Sequence, residues 1–262
     1  MKRVSRFVIA IAALAAATGA ASAKDWMKDT IVFGADATYP PFESQDSAGN
    51  IVGFDIDIGK AICAAEKLNC QFVNQDWDGI IPALIAGKID GILSSMSITP
   101  ERQKIISFTD KIYNTPPAIV VPKDSTIAGT TPDDLAGKSI GVQSSTTHSA
   151  YAEAAYPNSD IRYYKTSDDF KLDIAAGRLD SVMDDVVVLG DWVKSDAGSC
   201  CKVLGTLAIV PAIHGLGTGI GVRQGDNDLR EILNKGIAAI IADGTYKQIN
   251  DKYFDFNAYG GS

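Results

Sequence analysis

Ser94, Ser95, Ser97 and Arg102 crowd into one short stretch, Gly91 to Arg102. Ile92 and Leu93 end an apolar run beginning at Ile89, and Thr99-Pro100-Glu101 then reads as a helix cap with proline at the first helical position and an acid beside it. Arg102 falls in that first turn, where the helix dipole gives a cation no benefit. An anion would reward it. A carboxylate suits a guanidinium fork, seryl hydroxyls and free backbone N–H groups; a solvated arginine beside a serine-rich loop is the alternative that the local sequence leaves open. Other polar groups follow apolar runs in the same way: Asp36 after Thr30–Phe33, Gln143 to His148 after Lys138–Val142, and Asp184-Asp185 after Leu179–Met183. Tyr39 and Trp77 are aromatic neighbours of such ends.

These residues need elements to hold them. Strand patterns at Thr30–Phe33, Gln71–Val73 and Ile89–Leu93 alternate with helical patterns that end near Cys63–Lys67 and at Gly87. This β-α-β-α-β rhythm predicts a parallel sheet, with ligands at the edge where its strand C-termini gather. Thr38-Tyr39-Pro40-Pro41-Phe42 is too proline-rich for a helix or central strand and is expected as a rigid loop. The prolines at Thr115-Pro116-Pro117 mark a crossover, after which Lys138–Val142, Ser149–Tyr156, Ile161–Tyr164, Asp169–Ala176 and Leu179–Met183 repeat the rhythm. Ala86-Gly87-Lys88-Ile89-Asp90 and Ala176-Gly177-Arg178-Leu179-Asp180 echo each other. Gly215 to Arg223 is expected as a glycine-rich strand, followed by helices at Leu229–Ala242 and Tyr246–Tyr253. The fold class is α/β with two lobes facing across a cleft: residues 24–114 with 209–262 form one lobe, and 115–208 the other. Alternation turns Asp184 away from Asp185 and makes it a surface neighbour. His148 reads as a helix-start residue rather than a ligand contact.

Lys2, Arg3 and Arg6 precede an apolar run from Phe7 to Ala17, and Ala21-Ser22-Ala23 precedes Lys24. That is the grammar of an export leader, with cleavage expected after Ala23; the run is shorter than the roughly 20 apolar residues of a membrane span. The chain of 262 residues carries 24 basic and 32 acidic residues, a net charge of −8. Loss of the leader removes three basic residues and makes it more acidic. Such a polyanion is a poor nucleic-acid partner. In an oxidising compartment Cys63 and Cys70 are expected to form a disulfide between a helix end and the next strand. Adjacent Cys200 and Cys201 fit free thiols, a vicinal pair or an intermolecular contact. With only His148 and His214, far apart in sequence, a zinc site is not expected.

No Gly-x-Ser-x-Gly elbow, His-Glu-x-x-His or phosphate-cradling loop is present, so neither an enzyme nor a cofactor is expected. The residues instead suit a free α-amino acid: Arg102, Ser97 and Thr147 for the carboxylate, Asp185 for the α-ammonium, Tyr39 and Trp77 as walls. The chain resembles the periplasmic amino-acid-binding proteins of ABC importers, family 3 solute-binding proteins, and within them the lysine/arginine/ornithine- and histidine-binding group. The resemblance spans nearly all of residues 24–262. It rests on Asp36-Ala37-Thr38-Tyr39-Pro40-Pro41-Phe42-Glu43, Val52-Gly53-Phe54-Asp55-Ile56-Asp57, Ser94-Ser95-Met96-Ser97-Ile98-Thr99 with Arg102, Ala176–Asp180, Asp243-Gly244-Thr245-Tyr246 and Tyr253-Phe254-Asp255-Phe256.

The resemblance implies a type II periplasmic binding fold. It adds Ser95 to the ammonium site and implies that Asp36 with Ser94 takes the distal end of a basic side chain. It also implies the Cys63–Cys70 disulfide, an inner-membrane permease as partner, a periplasmic location and a monomer. Departures are Trp77 where the group has Phe or Leu, Gln143 for an aliphatic residue, Ser145 for glycine and His148 for glutamine. Opine-binding relatives share Trp77-Asp78-Gly79-Ile80 and a glutamine at the position of Gln143, whereas the three retained serines favour a free amino acid. Arginine, lysine or ornithine, with histidine next, is the expected ligand; an arginine-derived opine or a polar neutral amino acid is the alternative, and a dehydratase of the same fold a more remote one.

Overall fold

The computed structural model describes residues 24–260; the expected leader and its cleavage site lie outside them. Two five-stranded sheets, each flanked by helices, form two lobes. The first sheet runs Cys70–Asn74, Ile31–Ala35, Gly91–Ile92, Gly221–Arg223, Ile106–Phe108, and the second Asp160–Tyr164, Ser139–Gln143, Ser181–Asp185, Pro117–Pro122, Cys201–Thr206. In each, the first three strands are parallel and the last two join antiparallel. The parallel strands therefore deliver their C-terminal residues to one edge: Asp36, Leu93-Ser94-Ser95, Gln143 and Asp185.

The sequence echo is a structural repeat. Gly87 and Gly177 both take φ +71°. Lys88 N–H donates to Ala83 O and Gly87 N–H to Leu84 O, at 2.9 and 3.0 Å; Arg178 to Asp173 O and Gly177 to Ile174 O repeat the same bonds at the same lengths. Both helices thus end in the paired wrap-around bonds that a left-handed glycine permits. Asp90 then accepts the Val32 N–H and Asp180 the Ser139 N–H, fixing each strand beside its parallel neighbour.

Several local expectations change. Thr38–Tyr39 is not free loop: it pairs antiparallel with Glu43–Gln45, which pairs with Ile51–Val52, and the hairpin turns through a cis Pro40–Pro41 bond. The expected strand at Gly215–Arg223 shrinks to Gly221–Arg223, preceded by a short helix, Pro211–His214, and single bridges from Thr218 to Ser97 and Tyr113. Its glycines serve close backbone approach, since a Cβ on Gly215 would meet Ile98 O at 2.0 Å. A helix at Val186–Trp192 had no separate sequence signal. Cys63 and Cys70 are bonded, joining helix Phe54–Ala65 to strand Cys70–Asn74, and Cys200 is paired with Cys201.

Beneath the cleft, Phe42 stacks on Tyr113 at 4.9 Å and Phe54 meets Tyr113 edge-on at 5.5 Å. Helix Phe54–Ala65 docks there because the Pro41 and Phe42 carbonyls accept the Phe54 and Asp55 N–H groups, both at 3.0 Å, satisfying donors that a helix start leaves free. Gly53 makes that approach possible. Its φ is +135°, and a Cβ would stand 2.2 Å from Phe42 O. Gly53→Ala should therefore cost at least ~1–3 kcal/mol, the scale of one strained backbone residue, seen as a lower urea midpoint. An unchanged midpoint would contradict this docking.

Candidate functional site

Thr99 caps the four-residue helix Pro100–Gln103 by accepting the Arg102 N–H, as the sequence pattern predicts. The cap turns Arg102 back over the strand end. Its Nη1 donates to Ser97 O at 3.0 Å and its Nη2 to Ser145 O, in the opposite lobe, at 3.3 Å. The guanidinium lies 5.2 Å from the Trp77 ring centre. Among the described residues no carboxylate forms an ion pair with it, and burial lowers its pKa to about 10.

Thr146 and Ser149 form a reciprocal capping pair that starts the facing helix, Thr147–Ala155, two residues earlier than expected. Thr147 thus sits at a helix N-terminus, where backbone N–H groups favour an anion. Ser145 takes φ +60°, and its carbonyl also accepts Trp77 Nε1 at 3.3 Å.

Carboxylates gather elsewhere in the same cavity. Asp36 is 6% exposed; burial raises its pKa, against bonds from Gln143 and Thr38. Gln143 Nε2 donates to Asp36 and to Lys165 O, both at 3.0 Å, so the amide bridges the lobes and its oxygen is turned away from Asp36. Asp185 caps helix Val186–Trp192 through the Val187 N–H at 2.7 Å and accepts the Thr115 hydroxyl. Burial raises its pKa to about 7 despite those bonds. Neither Asp36 nor Asp185 has a cationic partner among the described residues. Ser94 accepts the Asp36 N–H at 2.8 Å, and Ser95 accepts the Tyr113 hydroxyl at 2.8 Å.

Asp36, Tyr39, Trp77, Ser94, Ser95, Ser97, Arg102, Gln143, Thr147 and Asp185 all line one cavity, which with its open mouth spans about 700 Å³. Four further polar residues belong to the picture. Asp184 is 2% exposed, not a surface residue. Its outward turn from Asp185 ends against the other lobe's hairpin, so Oδ1 accepts the Tyr39 hydroxyl and lies 3.1 Å from His148 Nδ1, while Ser167 donates to Oδ2. His148 starts its helix as expected but also lines the cavity; burial and Arg102 lower its pKa, against Asp184. His214 lines it too, and its Nδ1 accepts the Val210 N–H at 2.9 Å, which leaves the ring proton on Nε2. Glu43, 1% exposed, accepts the Ser94 and Ser95 hydroxyls at 3.2 and 3.1 Å. Its place after the Pro40-Pro41-Phe42 turn was the only available sequence signal. The strand-end rule overlooks a residue from a hairpin.

Among the described residues no group of three or more His, Cys, Asp or Glu is arranged to hold a metal, and no helix is long and apolar enough to cross a membrane. The arrangement is a polar cavity with a cation at one place, carboxylates at others and two aromatic walls. A histidine-binding periplasmic protein of Escherichia coli (strain K12) is 40% identical over 261 residues, covering 98% of this chain and 100% of that one. An L-arginine-binding protein of Pseudomonas aeruginosa is 42% identical over 232 residues, covering 87% and 89%. An ancestral arginine-binding protein, solved with arginine and with glutamine, superposes with TM-scores of 0.79 and 0.80 at 35% identity; each covers 87% of this chain, and 99% and 98% of its own. The family description of bacterial extracellular solute-binding proteins, family 3, matches residues 31–256, and the chain belongs to that family.

Proposed function

We propose that the protein is the extracytoplasmic binding component of an ABC importer and captures an L-amino acid with a cationic side chain: arginine first, then lysine or ornithine, with histidine next. The observation that carries this reading is the charge inventory of the cavity. Among the described residues Arg102 has no carboxylate partner, and Asp36 and Asp185 have no cationic one. An amino-acid carboxylate pairs with Arg102, supported by Ser97 and Thr147. The α-ammonium pairs with Asp185 and Ser95. Asp36, with Ser94 and Gln143, is then left for a second positive charge, which arginine supplies and glutamine does not. Tyr39 and Trp77 flank the side chain, and a flat guanidinium gains most from such faces. The relatives named for histidine and arginine binding support the same class.

The assigned workplace is the periplasm, after loss of residues 1–23, with a monomer handing its ligand to the permease. The lobe division at residues 114/115 and 208/209 has the chain crossing near Asn114–Pro116 and Leu207–His214, and these crossings act as a hinge. A ligand touching Arg102 in one lobe and Asp185 in the other favours closure through contacts that an open form lacks. Arginine should therefore reduce the radius of gyration in solution scattering; superimposable profiles with and without arginine would refute the hinge.

Two other ligands have specific support. The ancestral relative was solved with glutamine as well as arginine, and Gln143 suits a larger polar ligand such as an opine. A periplasmic dehydratase would need a general acid in the cleft. Glu43 is an additional acid there, but both of its oxygens are engaged by seryl hydroxyls, which favours binding over turnover.

Calorimetry with arginine, glutamine and octopine on wild type and Asp36→Ala separates these readings. If Asp36 takes the distal charge, truncation should weaken arginine binding by ~2–5 kcal/mol, the cost of breaking a buried hydrogen-bonded ion pair, and leave glutamine nearly unaffected. Tight glutamine binding with no arginine binding would remove the basic-ligand reading and leave the carboxylate site standing.

A further inference from the structure

Glu43 and Asp55 are two fully buried carboxyl groups that meet at Ser95, which donates its hydroxyl to one and its N–H to the other, directly behind Ser94 and Ser95. Among the described residues neither has a cationic partner. Three of their four oxygens accept a hydrogen bond: Glu43 Oε1 from Ser94, Glu43 Oε2 from Ser95, and Asp55 Oδ2 from the Ser95 N–H at 2.8 Å. Asp55 Oδ1 has no donor and is buried. Two like charges this close and this desolvated do not both ionise. A proton on Glu43, which burial raises further than Asp55, makes Glu43 a donor towards Asp55 and removes the repulsion. Glu43 reaches the cavity wall, so the pair touches the space assigned above to the ligand side chain.

We propose that Glu43 and Asp55 share one proton in the unliganded protein and surrender it when a cationic side chain enters, so that they select basic ligands by exchanging a proton for the ligand's charge. This rests on the basic-ligand reading. No bond to carbon changes: the carboxyl O–H bond of the pair breaks, its electron pair stays on the carboxylate, and the proton passes to solvent buffer. A cation within a few ångströms lowers a carboxyl pKa by about 1–3 units. Burial raises Glu43 well above the usual range and Asp55 to about 7, so a shift of that size crosses neutrality. The other titratable groups facing the pair are Asp36, Tyr39, Tyr113 and Tyr246, with Asp185 beyond Tyr113. None is positive. Asp36 also has a raised pKa and can release a proton to the same ligand, so the test must separate the two sources. A neutral side chain leaves the shared proton in place.

The sign follows from linkage. The free protein holds the proton and the arginine complex does not, so arginine affinity rises with pH and falls on acidification. One released proton corresponds to up to about tenfold per pH unit. Asp185 faces the α-ammonium of every amino acid, so its contribution cancels in the ratio of arginine to glutamine affinity. The experiment is calorimetry of arginine and glutamine binding near pH 7 in phosphate and in Tris, whose ionisation heats differ. Wild type should release close to one more proton with arginine than with glutamine. Asp55→Asn retains an acceptor for Ser95 N–H and supplies a permanent amide donor to Glu43, so it and Glu43→Gln should each lose most of that excess. Carboxyl ¹³C shifts of the wild-type pair, moving on addition of arginine but not glutamine, provide a readout if a variant does not fold. Arginine binding without excess release, or an excess unchanged in both variants and so arising from Asp36, would overturn the proposal. Absence of arginine binding would instead overturn the basic-ligand reading on which it rests.

Discussion

Charge without a partner is the constraint to which the rest of the structure answers. Arg102 enters the cleft with the Ser97 and Ser145 carbonyls as its hydrogen-bond acceptors, and Asp36 and Asp185 enter it with hydroxyl, amide and backbone donors. Taking such groups out of water costs several kcal/mol each in a protein interior. They would collapse onto one another if the chain allowed it. Two sheets of matching topology prevent that collapse, because Asp36 and Asp185 are fixed at strand ends and Arg102 on the short capped helix that follows one. The paired aspartates Asp90 and Asp180 do the same work in each lobe, tying one strand to the next by a carboxylate-to-backbone bond.

The lobes meet through polar contacts, and through Val188 in the first lobe's core and Tyr151 against His214. Tyr39 reaches Asp184, Gln143 reaches Asp36, Trp77 and Arg102 reach Ser145, and Lys165 pairs with Asp76 at 2.7 Å near the surface. Each of these polar groups can be solvated when the lobes part. Polar interfaces of this kind suit relative motion of domains. Gln143 illustrates the balance. Its amide orients Asp36 without neutralising it, and each carboxylate oxygen keeps a second lone pair for another donor. Asp36 can therefore hold Gln143 and still present negative charge to the cavity.

Much of this is legible in the sequence. Strand patterns broken by polar runs pointed to the parallel order, and the rule that ligands gather at strand C-termini pointed to Asp36, Tyr39, Trp77, Ser94, Ser95, Ser97, Arg102, Thr147 and Asp185, all of which line the cavity; Gln143 came from the resemblance. What escaped was set by distance in sequence. Asp184 reads as a surface residue by alternation within its own strand, because alternation knows nothing of a hairpin 145 residues away. Asp55 looks like an ordinary acid at a helix start, and only the docking of Gly53 against Phe42 shows that it is buried beneath Ser95. The short strand Thr38–Tyr39 was hidden by its prolines, which forbid a central strand and permit an edge hairpin. Helix Val186–Trp192 was concealed because its β-branched start reads as continued strand.

The two strand-end loops also share a backbone device that side-chain chemistry does not reveal. Ser95 and Ser145 both adopt left-handed φ, 49° and 60°, a conformation that costs a residue with a Cβ roughly 1–2 kcal/mol. In each lobe the cost fixes the direction of one peptide group, behind the site at Ser95 and across the cleft at Ser145. At Ser95 the N–H faces Asp55 and the hydroxyl faces Glu43. At Ser145 the carbonyl meets both Arg102 and Trp77. A glycine, as the resembling group carries at the second position, would adopt the turn at no steric cost but would hold it less firmly. Serine restricts the alternatives open to the loop and so fixes the direction of that carbonyl. The guanidinium and the indole are then locked to one backbone atom of the opposite lobe, which makes the position of the cation depend on how the lobes are set against each other.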